Sequence, residues 1–166
     1  MKISLMTIWH CGNYGAEMQT YATVKALRKL RHDVEVLDFR LFESNHSLRS
    51  IVGRFLNAIT PAQRTFEKFW KKYIKNISCH YHNVAELRNN PPKSDVYLVG
   101  SDQVWNEDIT GDRSAAYLLD FGGENVKRIS SASSTRVSES HFSQSYTYMA
   151  SKQFKQPAAL SCRETT

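Results

Sequence analysis

Asp95-Val96-Tyr97-Leu98-Val99-Gly100-Ser101-Asp102-Gln103-Val104-Trp105-Asn106 is the stretch that decides how this chain folds. Its first half is a short apolar, β-branched run that follows the Pro91-Pro92 breaker and stops at a glycine, as an interior parallel strand does. Gly100 permits a sharp exit, and the residues beyond it are polar. In open α/β sheets ligands bind at the carboxyl ends of the strands, so Ser101, Asp102, Gln103 and Asn106 become candidate ligand contacts, with Trp105 as a wall. The same residue types also make ordinary turns by bonding their own backbone, and spacing alone does not separate the two uses.

Working outward, the apolar period switches as it does in alternating α/β folds. Lys2 to Trp9 reads as a strand and His10 to Tyr14 as a loop. A helix is expected from Gly15 to Arg31, where Ala16, Val24, Leu27 and Leu30 share one side. Val34 to Phe39 returns as a second strand, and a right-handed crossover sets the two strands parallel, opening a Rossmann-like sheet. The loop holds Gly12 and Gly15 without the third glycine of a dinucleotide fingerprint, which argues against nicotinamide or flavin. Free N–H groups where the helix begins, at Asn13-Tyr14-Gly15, suit an anion or simply cap the helix. Past Asn106, Tyr117 to Phe121 and Arg128 to Ala132 read as strands and Val137 to Phe154 as a helix. A last strand, Ala158 to Cys162, would deliver Arg163 and Glu164 to the same edge as Asp102.

Four stretches carry a resemblance: Asn13-Tyr14-Gly15-Ala16 with Gln19-Thr20-Tyr21-Ala22, Gly100 to Asn106, Tyr117-Leu118-Leu119-Asp120-Phe121, and Ser161-Cys162-Arg163-Glu164. Together they resemble the polysaccharide pyruvyl transferase family. One family word, Ser-Tyr-Ala-Ala-Ser-Phe-Gly, reads Ser130-Ser131-Ala132-Ser133-Ser134-Thr135-Arg136 here, without the aromatics or the closing glycine. The resemblance implies an α/β fold whose Rossmann-like parallel sheet and flanking helices form the N-terminal half of a two-lobed, GT-B-like enzyme. Members are roughly twice as long, so residues 1–166 are expected to be one lobe without the second.

Between Arg40 and Lys75 lie eight Lys or Arg and two Glu, a balance of +6 that equals the formal charge of the whole chain. Two amphipathic helices are expected within an insertion at about 44–78. One carries Leu48, Ile51, Val52, Phe55, Leu56 and Ile59; the other carries Phe66, Phe69, Trp70, Tyr73 and Ile77, with Lys68, Lys71, Lys72 and Lys75 on the far side. The aromatics read as core. The lysines read as a solvated face, or as a field that steers an acidic glycan or lipid headgroups in peripheral contact. A stacking platform for nucleic acid needs rings and cations on one side, so nucleic acid is not an expected partner.

Hydrophobic residues at 41% and aromatics at 11% suffice for a core. The chain has no run long enough to span a membrane and no secretory leader, and its three distant cysteines fit reduced thiols, so a cytoplasmic address is expected. Cys79-His80-Tyr81-His82 is too tightly spaced for the usual zinc patterns and reads as a loop; no metal is expected.

The resemblance implies transfer of a pyruvyl group from phosphoenolpyruvate to sugar hydroxyls of a surface glycan or its precursor, with no cofactor. Asp102 is then the candidate acid or base. Arg163 is the candidate anion clamp, through two parallel hydrogen bonds. Asn13, Tyr14, Gly15, Ser101, Gln103, Trp105 and Asn106 would line the substrate. Two other readings stay open: a non-catalytic binding half that works with a partner lobe or a second copy, and a nucleotide-sugar glycosyltransferase.

Overall fold

The computed structural model describes residues 1–41, 61–136, 142–155 and 159–163. Five strands form one sheet: β1 (Lys2–Met6), β2 (Asp33–Phe39), β3 (Ile77–Tyr81), β4 (Val96–Asp102) and β5 (Lys127–Ser133). Their order is β3-β2-β1-β4-β5 and every pairing is parallel. Alternation along the strands explains the layering. Ile3, Leu5, Val34, Val36, Val96 and Leu98 are buried on one face, while Met6, Leu37, Phe39, Tyr97 and Val99 are buried on the other. This is an α/β, Rossmann-like arrangement.

Helix α1 (Tyr14–Lys29) joins β1 to β2 and presses Val24 against the first face. Helix α2 (Pro61–Phe69) runs into a π-helical turn, Trp70–Ile74, and adds Phe66, Trp70 and Ile74 to the same face. The second face is covered by α3 (Val84–Asn89), α4 (Glu107–Thr110), α5 (Ser114–Tyr117) and α6 (Gln144–Phe154), through Leu87, Ala116, Tyr117, Tyr146 and Ala150. The strand order therefore reverses between β1 and β4, the position at whose carboxyl ends ligands bind in open α/β sheets.

Several expectations are corrected. Cys79-His80-Tyr81 belongs to edge strand β3, not to a loop. Its polar character fits an edge, and Ser78 Oγ accepts from the Asp38 amide at 2.9 Å where the β2–β3 register shifts. The aromatic helix consequently ends at Ile74, and Ile77 is a strand residue. Tyr117 to Phe121 is not a strand: α5 ends at Tyr117, and the Leu119, Phe121 and Val126 carbonyls accept from the buried Arg128 guanidinium at 3.1, 2.8 and 3.1 Å, so they serve no ladder. The expected strand at Ala158 to Cys162 is reduced to two parallel bridges on β5, Ile129 with Ala159 and Ser133 with Cys162. The stripe from Leu48 to Ile59 lies outside the described residues.

Helix α6 starts at its cap Ser143, later than the expected Val137, and residues 137–141 are also outside the described set. Ser143 Oγ caps the Tyr146 amide at 3.1 Å, and Glu107 accepts from the Ser143 amide at 2.8 Å. Among the described residues no helix is long and apolar enough to cross a membrane, and no three His, Cys, Asp or Glu cluster as a metal site would require.

Candidate functional site

Beyond β1 the chain stays pinned to the sheet. The Trp9 indole donates to the Leu37 carbonyl at 2.9 Å, His10 turns the backbone at φ 60° and Gly12 at φ 72°. Asn13 then caps α1: its side-chain oxygen accepts from the Gly15 amide at 2.8 Å and its carbonyl from the Glu17 amide at 3.1 Å. Asn13, Tyr14 and Gly15 are exposed at that helix start, with the Tyr14 ring 4.8 Å from Phe66.

From the other side β4 brings up Gly100, Ser101 and Asp102. The Ser101 carbonyl accepts from Thr7 Oγ1 at 3.4 Å and from the Gln19 side-chain amide. A residue just past β1, one on the second turn of α1 and the end of β4 therefore meet at a single carbonyl. This brings the Asn13 to Gly15 helix start and the Ser101-Asp102 strand end to one rim. Neither Thr7 nor Gln19 was singled out from the sequence as a contact, because nothing local encodes a hydrogen bond that spans 94 or 82 residues.

Asp102 is half-buried with φ 99°, a conformation that side chains other than glycine seldom adopt. Its carbonyl accepts from the Ser134 amide at 2.9 Å, and its carboxylate makes no hydrogen bond to a described residue. A non-glycine residue with such a φ carries a backbone cost of roughly 1–3 kcal/mol. Asp102→Gly is expected to raise the stability of the lobe by about 1 kcal/mol, read from the urea midpoint. A loss of stability would show that the carboxylate has a structural role.

Gln103, Trp105 and Asn106 take other parts. Asn106 is 6% exposed and caps α4: its oxygen accepts from the Asp108 amide at 3.1 Å and its nitrogen donates to the Gln103 side-chain oxygen at 3.2 Å. Trp105 is 4% exposed, with its ring 4.8 Å from Phe154 and its carbonyl bonded by the Tyr146 hydroxyl at 2.8 Å. It is a core residue here, and its indole N–H has no partner among the described residues.

Arg163 stands at the far end of the rim. Its amide donates to the Ser133 carbonyl at 3.0 Å and its side chain is exposed. Ser133 is in register with Asp102 and bridges Cys162. Two inter-strand spacings, roughly 10 Å, therefore separate the Asp102 and Cys162 positions on the same edge. The altered family word runs along β5 and past its end, and Arg136, where the family closes with glycine, adopts φ 59°. The arginine thus keeps the left-handed backbone a glycine would take.

Several groups beside the crevice were not anticipated as contacts. Glu17, on the first turn of α1, is 1% exposed and accepts from the Trp70 indole; burial pushes its carboxyl upward. Burial also raises the Cys11 thiol, with the Glu17 and Asp102 charges adding to the effect. His10 lies 4.0 Å from the Trp70 ring, and burial followed by the Arg40 charge depresses its pKa. Next to it a cavity of about 300 Å³ is lined by His10, Asp38, Arg40, Glu67, Trp70 and Lys71 among others. Arg40 grips Asp38 through two hydrogen bonds of 2.8 and 3.0 Å, and His80 Nδ1 approaches it at 3.2 Å. Burial alone would raise Asp38; Arg40 and His80 outweigh it and hold the carboxyl below its usual range.

A five-stranded, all-parallel sheet with flanking helices belongs to the class of Rossmann-like α/β domains. The model of the polysaccharide pyruvyl transferase family matches residues 13–166, and the chain belongs to that family. No curated protein and no solved structure matches it.

Proposed function

We propose that this rim is one wall of a pyruvyl-transfer site whose donor is phosphoenolpyruvate and whose acceptor is a sugar diol of a glycan. The observation that carries the reading is the family match over residues 13–166, and the convergence at the Ser101 carbonyl supports it. The donor presents a phosphate and a carboxylate. The N–H groups at the start of α1 and the exposed Arg163 guanidinium suit those anions, the latter through a bidentate grip.

In the reaction one sugar hydroxyl adds to the central carbon of the donor while the methylene carbon takes a proton. A neighbouring hydroxyl then displaces inorganic phosphate to close the ketal. Atoms and charge balance without a redox partner. Asp102 is the group for the proton transfers on this wall, and the polar cavity beside His10 is the place for further acceptor hydroxyls.

Positioning is worth about 7–11 kcal/mol of a barrier, and it needs a substrate enclosed from both sides. The 166-residue chain by itself is therefore expected to bind the donor and turn it over only at trace rates. A GT-B-like second lobe, or a second copy of the chain, would close the site. The experiment is a thermal-shift titration with phosphoenolpyruvate and, separately, with nucleoside diphosphates. Donor at about 100 times its Kd adds ~2.7 kcal/mol, which raises the midpoint by several degrees in a domain of this size. Stabilisation by the nucleotide alone would instead identify a nucleotide-sugar glycosyltransferase.

A further inference from the structure

Helices α1 and α2 carry a second surface that adjoins the rim at Tyr14 and continues along both helices. Tyr14, Met18, Tyr21 and Lys25 follow one another at helical spacing on α1, with Tyr14 67% and Met18 52% exposed. Beside them Tyr21 packs at 5.5 Å against both Phe69 and Tyr73, which lie 4.9 Å from each other, and Tyr73 is 40% exposed. Lys72 does not lie apart from the rings, as helical spacing suggested. Lys25 Nζ sits 5.5 Å from the Tyr21 ring and Lys72 Nζ 4.9 Å from the Tyr73 ring.

Lys25 and Lys72 thus share one patch with amphipathic rings. Lys29 on α1, Lys68 on α2 and Lys75, which caps the π turn, are also exposed on these elements. A single exposed acid, Glu67, accompanies them on these elements.

We infer that this face docks on an anionic lipid bilayer. Two features of the patch select that occupant. The strongly one-signed charge complements anionic headgroups, which attract surface lysines at ~1 kcal/mol each. Half-exposed tyrosines and a methionine offer apolar bodies with polar tips, the chemistry of the headgroup boundary. Nucleic acid is disfavoured because Tyr21 meets Phe69 and Tyr73 edge to face, at 70° and 68°, which breaks up the flat ring surface that bases stack on. The patch begins at Tyr14, on the first residue of α1, so a bilayer seated there lies beside the crevice rim. An acceptor held in that membrane by a lipid would then reach the site; this last clause alone rests on the pyruvyl-transfer reading.

Vesicle co-sedimentation of the whole chain tests the inference with neither donor nor acceptor present, so its outcome is independent of that reading. Binding is expected to vesicles of phosphatidylcholine mixed with phosphatidylglycerol and not to phosphatidylcholine alone, and it should weaken as salt is raised. Lys25→Gln with Lys72→Gln should weaken it about thirtyfold, the fold-change equivalent of ~1 kcal/mol per lysine. Tyr14→Ser with Met18→Ser should weaken it further. Lys127→Gln with Lys152→Gln, exposed residues on β5 and α6, should leave it unchanged. All three double variants alter exposed side chains, and an unchanged thermal midpoint confirms that each is folded. Equal binding to both vesicle types, no binding at all, or indifference to the Lys25 and Lys72 changes would overturn the inference. So would displacement from vesicles by a single-stranded oligonucleotide at matched charge, which would mark a nucleic-acid surface instead.

Discussion

Gly100→Ala is expected to cost at least ~4 kcal/mol, enough to leave a domain of ordinary stability largely unfolded. A Cβ built on Gly100 falls 2.0 Å from the Ser131 carbonyl oxygen and 3.0 Å from its carbon. That contact is backbone on the paired strand, since Gly100 and Ser131 are in register. No rotamer change relieves it, and φ of 126° is itself costly for alanine. Relief requires β5 to move away, which strips the Asp102–Ser133 pairing and the Ser134 and Trp105 amide bonds at 2.9 and 3.1 Å. Gly111→Ala is the control: it has φ 49° but nothing within 4 Å of a new Cβ, so about 1 kcal/mol is expected. Urea denaturation followed by circular dichroism reads both. A Gly100→Ala loss no larger than the control's would mean that β4 and β5 are not in close contact there.

Arg128→Met should cost ~3–4 kcal/mol, and Arg128→Lys should recover only part of it. Arg128 is 9% exposed, and its guanidinium supplies the Leu119, Phe121 and Val126 carbonyls while lying 5.9 Å from the Tyr97 ring. Methionine fills the space but leaves those buried carbonyls without donors. A lysine ammonium cannot present donors in the same planar fork. The same denaturation assay decides: a loss under ~1 kcal/mol would show that water replaces the guanidinium and that the loop does not depend on it.

The fold was legible wherever burial is two-sided. β1, β2 and β4 carry apolar residues on both faces, and α1 keeps its apolar stripe, so periodicity locates them. β3 was not legible because an edge strand tolerates Ser78, Cys79 and His80, which read as loop chemistry. Tyr117 to Phe121 misled for the opposite reason: its apolar run is wrapped around a buried arginine whose role appears only in three dimensions.

At the rim, residue type could not separate uses. Asn13 and Asn106 both cap helices, one exposed and one buried, and sequence assigned both to the ligand. Asp102 differs from them through a left-handed backbone and a carboxylate with no hydrogen bond among the described residues, neither of which its neighbours in sequence announce. The contacts of Thr7 and Gln19 with Ser101 join distant segments and were likewise out of reach.

The most direct measurement is an amide chemical-shift map of the chain titrated with phosphoenolpyruvate. Shifts are expected together at Asn13 to Gly15, at Ser101 to Gln103 and at Arg163, with a common dissociation constant that Arg163→Ala weakens. Perturbations confined to one of these segments, or clustered away from the β1 and β4 carboxyl ends, would contradict a donor site built at the switch point.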